Sequence, residues 1–161
     1  MKRSSTIVCR IAVAGVLLAG ALALAQSGHV VVSAGELQWS AAPPSLPAGA
    51  QAAVLEGNPA DAGQFTMRLR LPSNYKIPPH WHPSTEHVTV LSGTLHVGLG
   101  DKWDETTGKA LSPGSFAVMP PQMHHFAWTT QETVIQLHGT GPWGITYLNP
   151  EDDPRNQKAE R

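Results

Sequence analysis

Residues 65–71 carry the clearest pattern in the chain: Phe65, Met67, Leu69 and Leu71 alternate with Thr66, Arg68 and Arg70. A period of two puts alternate side chains on opposite faces of an extended backbone, so the segment predicts a strand with one dry and one wet face. Shorter runs rich in Val, Ile, Thr and Leu predict strands over 29–33, 52–55, 87–91, 94–99, 115–119, 133–138 and 145–148. Turn formers fall between them: Ser92-Gly93, Gly100-Asp101, Ser112-Pro113-Gly114, Pro120-Pro121 and residues 139–142. Residues 72–79 read as a turn-rich connector. Residues 41–50, with Pro43, Pro44 and Pro47, cannot pair as a central strand and predict an extended arm outside the core. Roughly eight short strands at this spacing predict an all-β sandwich or barrel of antiparallel pairs.

The two ends differ from this pattern. Residues 1–25 have the layout of an export signal: Lys2, Arg3 and Arg10, then an apolar run to Leu24, then Ala23-Leu24-Ala25 as a cleavage site before Gln26. The apolar run is shorter than the roughly 20 residues a spanning helix needs, which argues against a stable membrane anchor after cleavage. The expected destination is the periplasm or the exterior. Residues 26–50 then form a first strand and the Pro-rich arm, residues 51–150 the barrel, and residues 151–161 a polar, mobile tail.

Composition changes the picture in three ways. At 161 residues there is room for one core. Charged residues make up only 14% of the chain and nearly balance, so no basic face for nucleic acid is expected. Cleavage would remove Lys2, Arg3, Arg10 and the single Cys9, leaving 8 Lys plus Arg against 12 Asp plus Glu, a net charge of −4. A chain without cysteine has neither disulfide nor thiolate, so any metal chemistry must rest on His and carboxylate. With no disulfide, and with Trp39 and the arm outside the barrel, self-association as a homodimer is expected.

The histidines carry the chemistry. His80-Trp81-His82 places two imidazoles on one face of an extended chain, and Glu86 has the same parity. His124-His125 follows Pro120-Pro121 and can close a site from a neighbouring strand; either ring could be the donor. Neutral imidazoles with one carboxylate suit one divalent transition ion, whether Fe, Mn, Ni, Cu or Zn. His29 and His96 have no spaced partner and read as ordinary surface or core residues, and Trp81, Trp128 and Trp143 as core or interface fillers. His87 has the opposite parity to Glu86 and should lie outside the barrel. Gln136 and His138 share a strand face; His138 is a candidate proton carrier beside the metal, with a solvated strand face as the alternative.

From His80 the sequence runs HWHPSTEHVTVLSG, which resembles the first cupin motif, HxHx3Ex6G, through His80, His82, Glu86 and Gly93. From Gly114 it runs GSFAVMPPQMHH, which is similar to the second motif, Gx5PxGx2H, through Gly114, Pro120 and His125. Three positions depart: Asn74 and Gln122 stand where the motifs carry Gly, and Thr129 where the second carries Asn. The resemblance implies a double-stranded β-helix, or jelly-roll barrel, with the metal near one mouth, held by His80, His82, Glu86 and His125. The motif register favours His125 over His124.

Cupins serve many reactions, so the resemblance names no substrate. The expectation is an exported metal-dependent enzyme acting on a small molecule, dioxygenase-like in its chemistry, with Glu86 and His138 as catalytic candidates. The alternative is a non-catalytic module that binds metal or a small ligand. Neither a phosphate-binding Gly loop nor a serine-hydrolase elbow is present.

Overall fold

The computed structural model describes residues 29–157; the expected leader and Cys9 lie outside them. The described residues form eleven strands: β1 Ser40–Ala41, β2 Gln51–Glu56, β3 Gly63–Leu71, β4 Lys76–Trp81, β5 Glu86–Ser92, β6 Leu95–Leu99, β7 Lys109–Leu111, β8 Phe116–Met119, β9 His125–Thr129, β10 Thr133–Gly141 and β11 Thr146–Tyr147. They make a six-stranded sheet in the order β1-β2-β3-β10-β5-β8 and a five-stranded sheet in the order β11-β4-β9-β6-β7. Every pairing is antiparallel. Consecutive strands repeatedly cross to the other sheet, which is the all-β jelly-roll architecture.

The alternation in β3 works as its sequence implies. Phe65, Met67, Leu69 and Leu71 are buried, while Arg68 and Arg70 bond outward to Gln136 and Gln51 at 3.2 and 3.0 Å. Leu69 and Leu71 join Val88, Val90, Leu95, Leu111, Ile135 and Leu137 in one core between the sheets. Gly93 turns β5 into β6 at φ 77°, and a Cβ there would lie 2.4 Å from the Glu132 carbonyl oxygen.

Four segments depart from the sequence reading. Residues 29–33 are exposed and unpaired; a Val run has strand propensity, but it needs a free sheet edge to pair with. Residues 72–79 are not all connector, because β4 begins at Lys76 and carries Pro78 and Pro79. Its register to β9 shifts between Ile77 and His80, and prolines, which lack an N–H, are tolerated at such a bulge. The Pro-rich arm is not outside the core. Leu46 and Ala50 are buried, and the Tyr75 and Tyr147 hydroxyls donate to the carbonyls of Pro47 and Ser45. Finally, residues 151–157 are not a mobile tail. They form 3-10 turns at Pro150–Asp152 and Pro154–Asn156, docked by Arg155 Nη2 donating to the Ile145 carbonyl at 3.1 Å.

Candidate metal centre

His80 in β4 and His125 in β9 are register partners across the five-stranded sheet, with ring centroids 4.2 Å apart. The bulge at Pro78-Pro79 matters here. Ile77 and His80 are three residues apart, yet both point inward because the extra residue resets the pleat. His82 follows immediately after β4. Glu86 opens β5 in the opposite sheet and reaches the same point from across the barrel. All four residues are buried.

The ligand atoms of His80, His82 and His125 lie within 4.8 Å of one another. Each ring is pinned through Nδ1 to a backbone carbonyl: His80 to Pro78 at 2.7 Å, His82 to Gly144 at 2.7 Å and His125 to Met123 at 3.0 Å. A carbonyl only accepts, so each Nδ1 carries a hydrogen, and the lone pair of each neutral ring sits on Nε2. The Nε2 atoms of His82 and His125 both lie 3.4 Å from Glu86 Oε2. His82 Nε2 is buried without a hydrogen-bond partner. Lone pairs facing a carboxylate oxygen in a dry site call for a cation between them, either a proton or a metal ion. Backbone carbonyls that fix the ring tautomer are the usual outer partners of metal-bound histidine. The residues therefore fit one divalent ion.

Electrostatics agree. Burial, reinforced by the like charges of His125 and His82, holds His80 well below the ordinary histidine value, so it is a neutral donor. Burial would also lower His82, but attraction to Glu86 and the bond to the Gly144 carbonyl outweigh it and hold this ring above its ordinary value. Burial would raise Glu86; the positive charge that His82 and His125 carry when protonated outweighs that and holds its carboxyl well below the usual range.

These four groups form the polar patch of a chamber of about 40 Å³. The rest of its wall is apolar, including Ile77, Leu95, Met119, Leu137 and Ile145. Two wall residues were not expected from sequence. Leu46 comes from the folded-back arm, and Trp143 stacks on His82 with centroids 4.4 Å apart at 17°. Neither lies in a periodic segment, so no local pattern announces them.

The remaining candidates lie elsewhere. His124 faces solvent, its Nδ1 2.7 Å from Asp101 Oδ1. His138 is a correction. Ile135 and Leu137 take the inward positions of β10, so Gln136 and His138 occupy the outer face, and His138 is exposed beside His87 rather than next to the buried histidine cluster. His96 stacks on Trp128 and His29 is exposed.

The ChrR cupin-like domain model matches residues 27–144. The chain belongs to that family. Among curated proteins, this ChrR-type cupin is similar to germin-like proteins 8-9 and 8-10 of Oryza sativa subsp. japonica. They are 36% and 35% identical over 80 residues, covering 45% of this chain and 36% of each relative. The match thus spans about a third of those proteins. Among solved structures it is similar to the polyketide cyclase RemF from Streptomyces resistomycificus, with TM-score 0.64 and 16% identity over 79% of this chain and 90% of that one. An RmlC-like cupin from Shewanella frigidimarina aligns with TM-score 0.55 and 16% identity, over 71% and 91% of the two chains. At these identities the structural likenesses speak for the fold.

Proposed function

We propose that the protein is an exported metalloenzyme in which His80, His82, His125 and Glu86 hold one divalent transition ion that acts on a small molecule. The carrying observation is the clustering of three tautomer-fixed imidazoles, two of which face the buried Glu86 carboxylate. When bound, the ion would supply Lewis acidity and a template for substrate. The chain's residues do the rest. His80 stays neutral as a donor, and Glu86 offsets one of the ion's charges. The apolar wall excludes water, and Trp143 fixes the plane of His82 by stacking. The chamber is far smaller than a drug-sized pocket, so the fitting substrate has only a few heavy atoms.

A second reading is favoured by one observation: apart from the four candidate ligands, no acid or base lines the chamber. A plain apolar wall suits a non-catalytic module that holds the metal or a small ligand. Reloading stripped protein separately with Fe(II), Mn(II), Ni(II), Cu(II) and Zn(II) separates the two. An iron–nitrosyl spectrum on adding nitric oxide to the Fe(II) form, with turnover of small diketones, phenols or carboxylates, supports the enzyme. A coordinatively closed metal with no turnover in any form supports the module.

Export and self-association belong to the same proposal. Intact mass of protein recovered outside the cytoplasm should start at Gln26; a full-length mass in the membrane fraction would overturn cleavage. Homodimer formation is tested by light scattering over a concentration series, a monomer mass at high concentration counting against it. Because Leu46 packs into its own barrel, the arm's middle is not free to cover a neighbour.

A further inference from the structure

The arm between β1 and β2 is tied down on both sides of one residue. The Tyr147 hydroxyl, from β11, donates to the Ser45 carbonyl at 2.8 Å, and the Tyr75 hydroxyl, just ahead of β4, donates to the Pro47 carbonyl. Leu46 lies between the two. Its N–H closes a turn on the Pro43 carbonyl at 2.9 Å, and the Ala42 N–H closes the loop on the Ala50 carbonyl at 3.0 Å. β1 is an edge of the six-stranded sheet and β11 an edge of the five-stranded one, so the arm clasps one sheet to the other.

Leu46 is buried and lines the chamber of about 40 Å³ that holds the histidine cluster. It also lines a depression of about 300 Å³ at the arm, walled by Ala42, Pro44, Ala48 and Pro154. No other described residue lines both spaces. We propose that Leu46 is the residue that sets the size limit of the chamber, closing its arm side so that only a ligand of a few heavy atoms fits. This rests on the chamber being the substrate site, but the barrier itself needs no metal. Truncating Leu46 to Ala removes three carbons. The tyrosine bonds on either side hold the backbone, so the truncation leaves a gap rather than a collapse. That gap joins the chamber to a depression walled by Ala, Pro and Gly, with no charged side chain along it. The ligand it would newly admit is one with an unbranched alkyl chain.

Leu46 also belongs to the hydrophobic core, and a purely structural role predicts only a loss of stability on truncation. The test must separate the two. Straight-chain alcohols from 1-butanol to 1-octanol are titrated into metal-stripped full-length protein, and binding is read by NMR at the methyl of Met119, which lines the chamber. The exposed Met123 serves as the internal control. In the parent protein the Met119 resonance should not respond. In Leu46→Ala it should shift, with affinity rising roughly fourfold for each added methylene that is buried. Leu95→Ala removes the same atoms from a wall residue that does not reach the depression. It enlarges a closed chamber, so affinity there should fall with chain length instead of rising. Leu46→Val, a one-carbon truncation, decides the matter should Leu46→Ala fail to fold; it should give the same Met119 shift with weaker binding. A parent response equal to that of the Leu46 variants, no response in either variant, or an equal rise in Leu95→Ala overturns the proposal. Because the titration uses no metal, absence of turnover in the loaded protein removes the enzyme reading alone.

Discussion

His80 and His125 face each other across β4 and β9 with ring centroids 4.2 Å apart, and Glu86 from the other sheet closes on the same point. A site built across two sheets exists only when the barrel is folded, so metal binding and folding should be linked. His80→Ala or His125→Ala should weaken metal retention by more than about tenfold, the lower end of what losing even an outer partner of a ligand costs. His124→Ala, one residue from a proposed ligand but bonded outward to Asp101, should retain metal normally. Metal content after dialysis against a graded chelator checks all three. Equal retention would remove the four-residue centre.

Two positions with a positive φ should respond oppositely to substitution. Gly93 sits at φ 77° with no room for a Cβ, so Gly93→Ala should cost more than about 1 kcal/mol. Gln122, at φ 62°, occupies a conformation that costs an ordinary residue roughly 1–2 kcal/mol. Gln122→Gly relieves that strain, partly offset by the greater freedom of glycine when unfolded. A net gain of up to about 1 kcal/mol is expected. Urea unfolding midpoints of the two variants should move in opposite directions.

The two-motif spacing made the site legible in sequence because motif residues are close along the chain and fixed by pleat parity. His80 and His82 come together as that parity implies. Glu86, beyond the break at residues 83–85, joins them from β5 in the other sheet, where parity along β4 does not reach. Asn74 and Gln122, the two places where a motif glycine is replaced, both keep a positive φ. The bulge was not legible. Two consecutive prolines read as a connector, and only the register to β9 reveals that they reset the pleat ahead of His80. Parity also left the sign of β10 open: Gln136 and His138 share a face, but Leu137 decides which face is inside. Leu46 and Trp143 reach the chamber through irregular segments, where a local pattern has no period to read.

Thr129 stands where the second motif carries Asn, and its hydroxyl does two jobs. It donates to the Pro72 carbonyl at 2.6 Å and accepts from the Tyr75 N–H at 3.1 Å, tying the turn between β3 and β4 to β9. Thr129→Val keeps the shape but leaves a buried N–H unpaired. Such a loss costs about 1–3 kcal/mol. The unfolding midpoint should fall accordingly, and hydrogen exchange at Tyr75 should quicken. An unchanged midpoint would show that the turn holds without the hydroxyl.

The C-terminal turns should undock in acid. Asp153 Oδ2 lies 2.6 Å from Arg155 Nη2, and the same nitrogen donates to the Ile145 carbonyl next to β11. Hydrogen bonding from Arg155 holds the Asp153 carboxyl below the usual aspartate range. The unfolded carboxyl, with an ordinary pKa of about 3.9, binds its proton more readily than the folded one. Stability therefore rises with pH through that window. The contribution is fully present above the ordinary aspartate value and is lost as pH falls through the depressed folded value. Because the pair is exposed, the effect on global stability is small and the local effect is the one to measure. Protection of the amides over residues 150–157, relative to their intrinsic exchange rate at each pH, should fall below about pH 4 in the parent protein. Asp153→Asn cannot make the ion pair at any pH. Its exchange should already be fast at neutral pH and show no further step on acidification. A parent-like acid step in Asp153→Asn would assign the transition to another carboxyl.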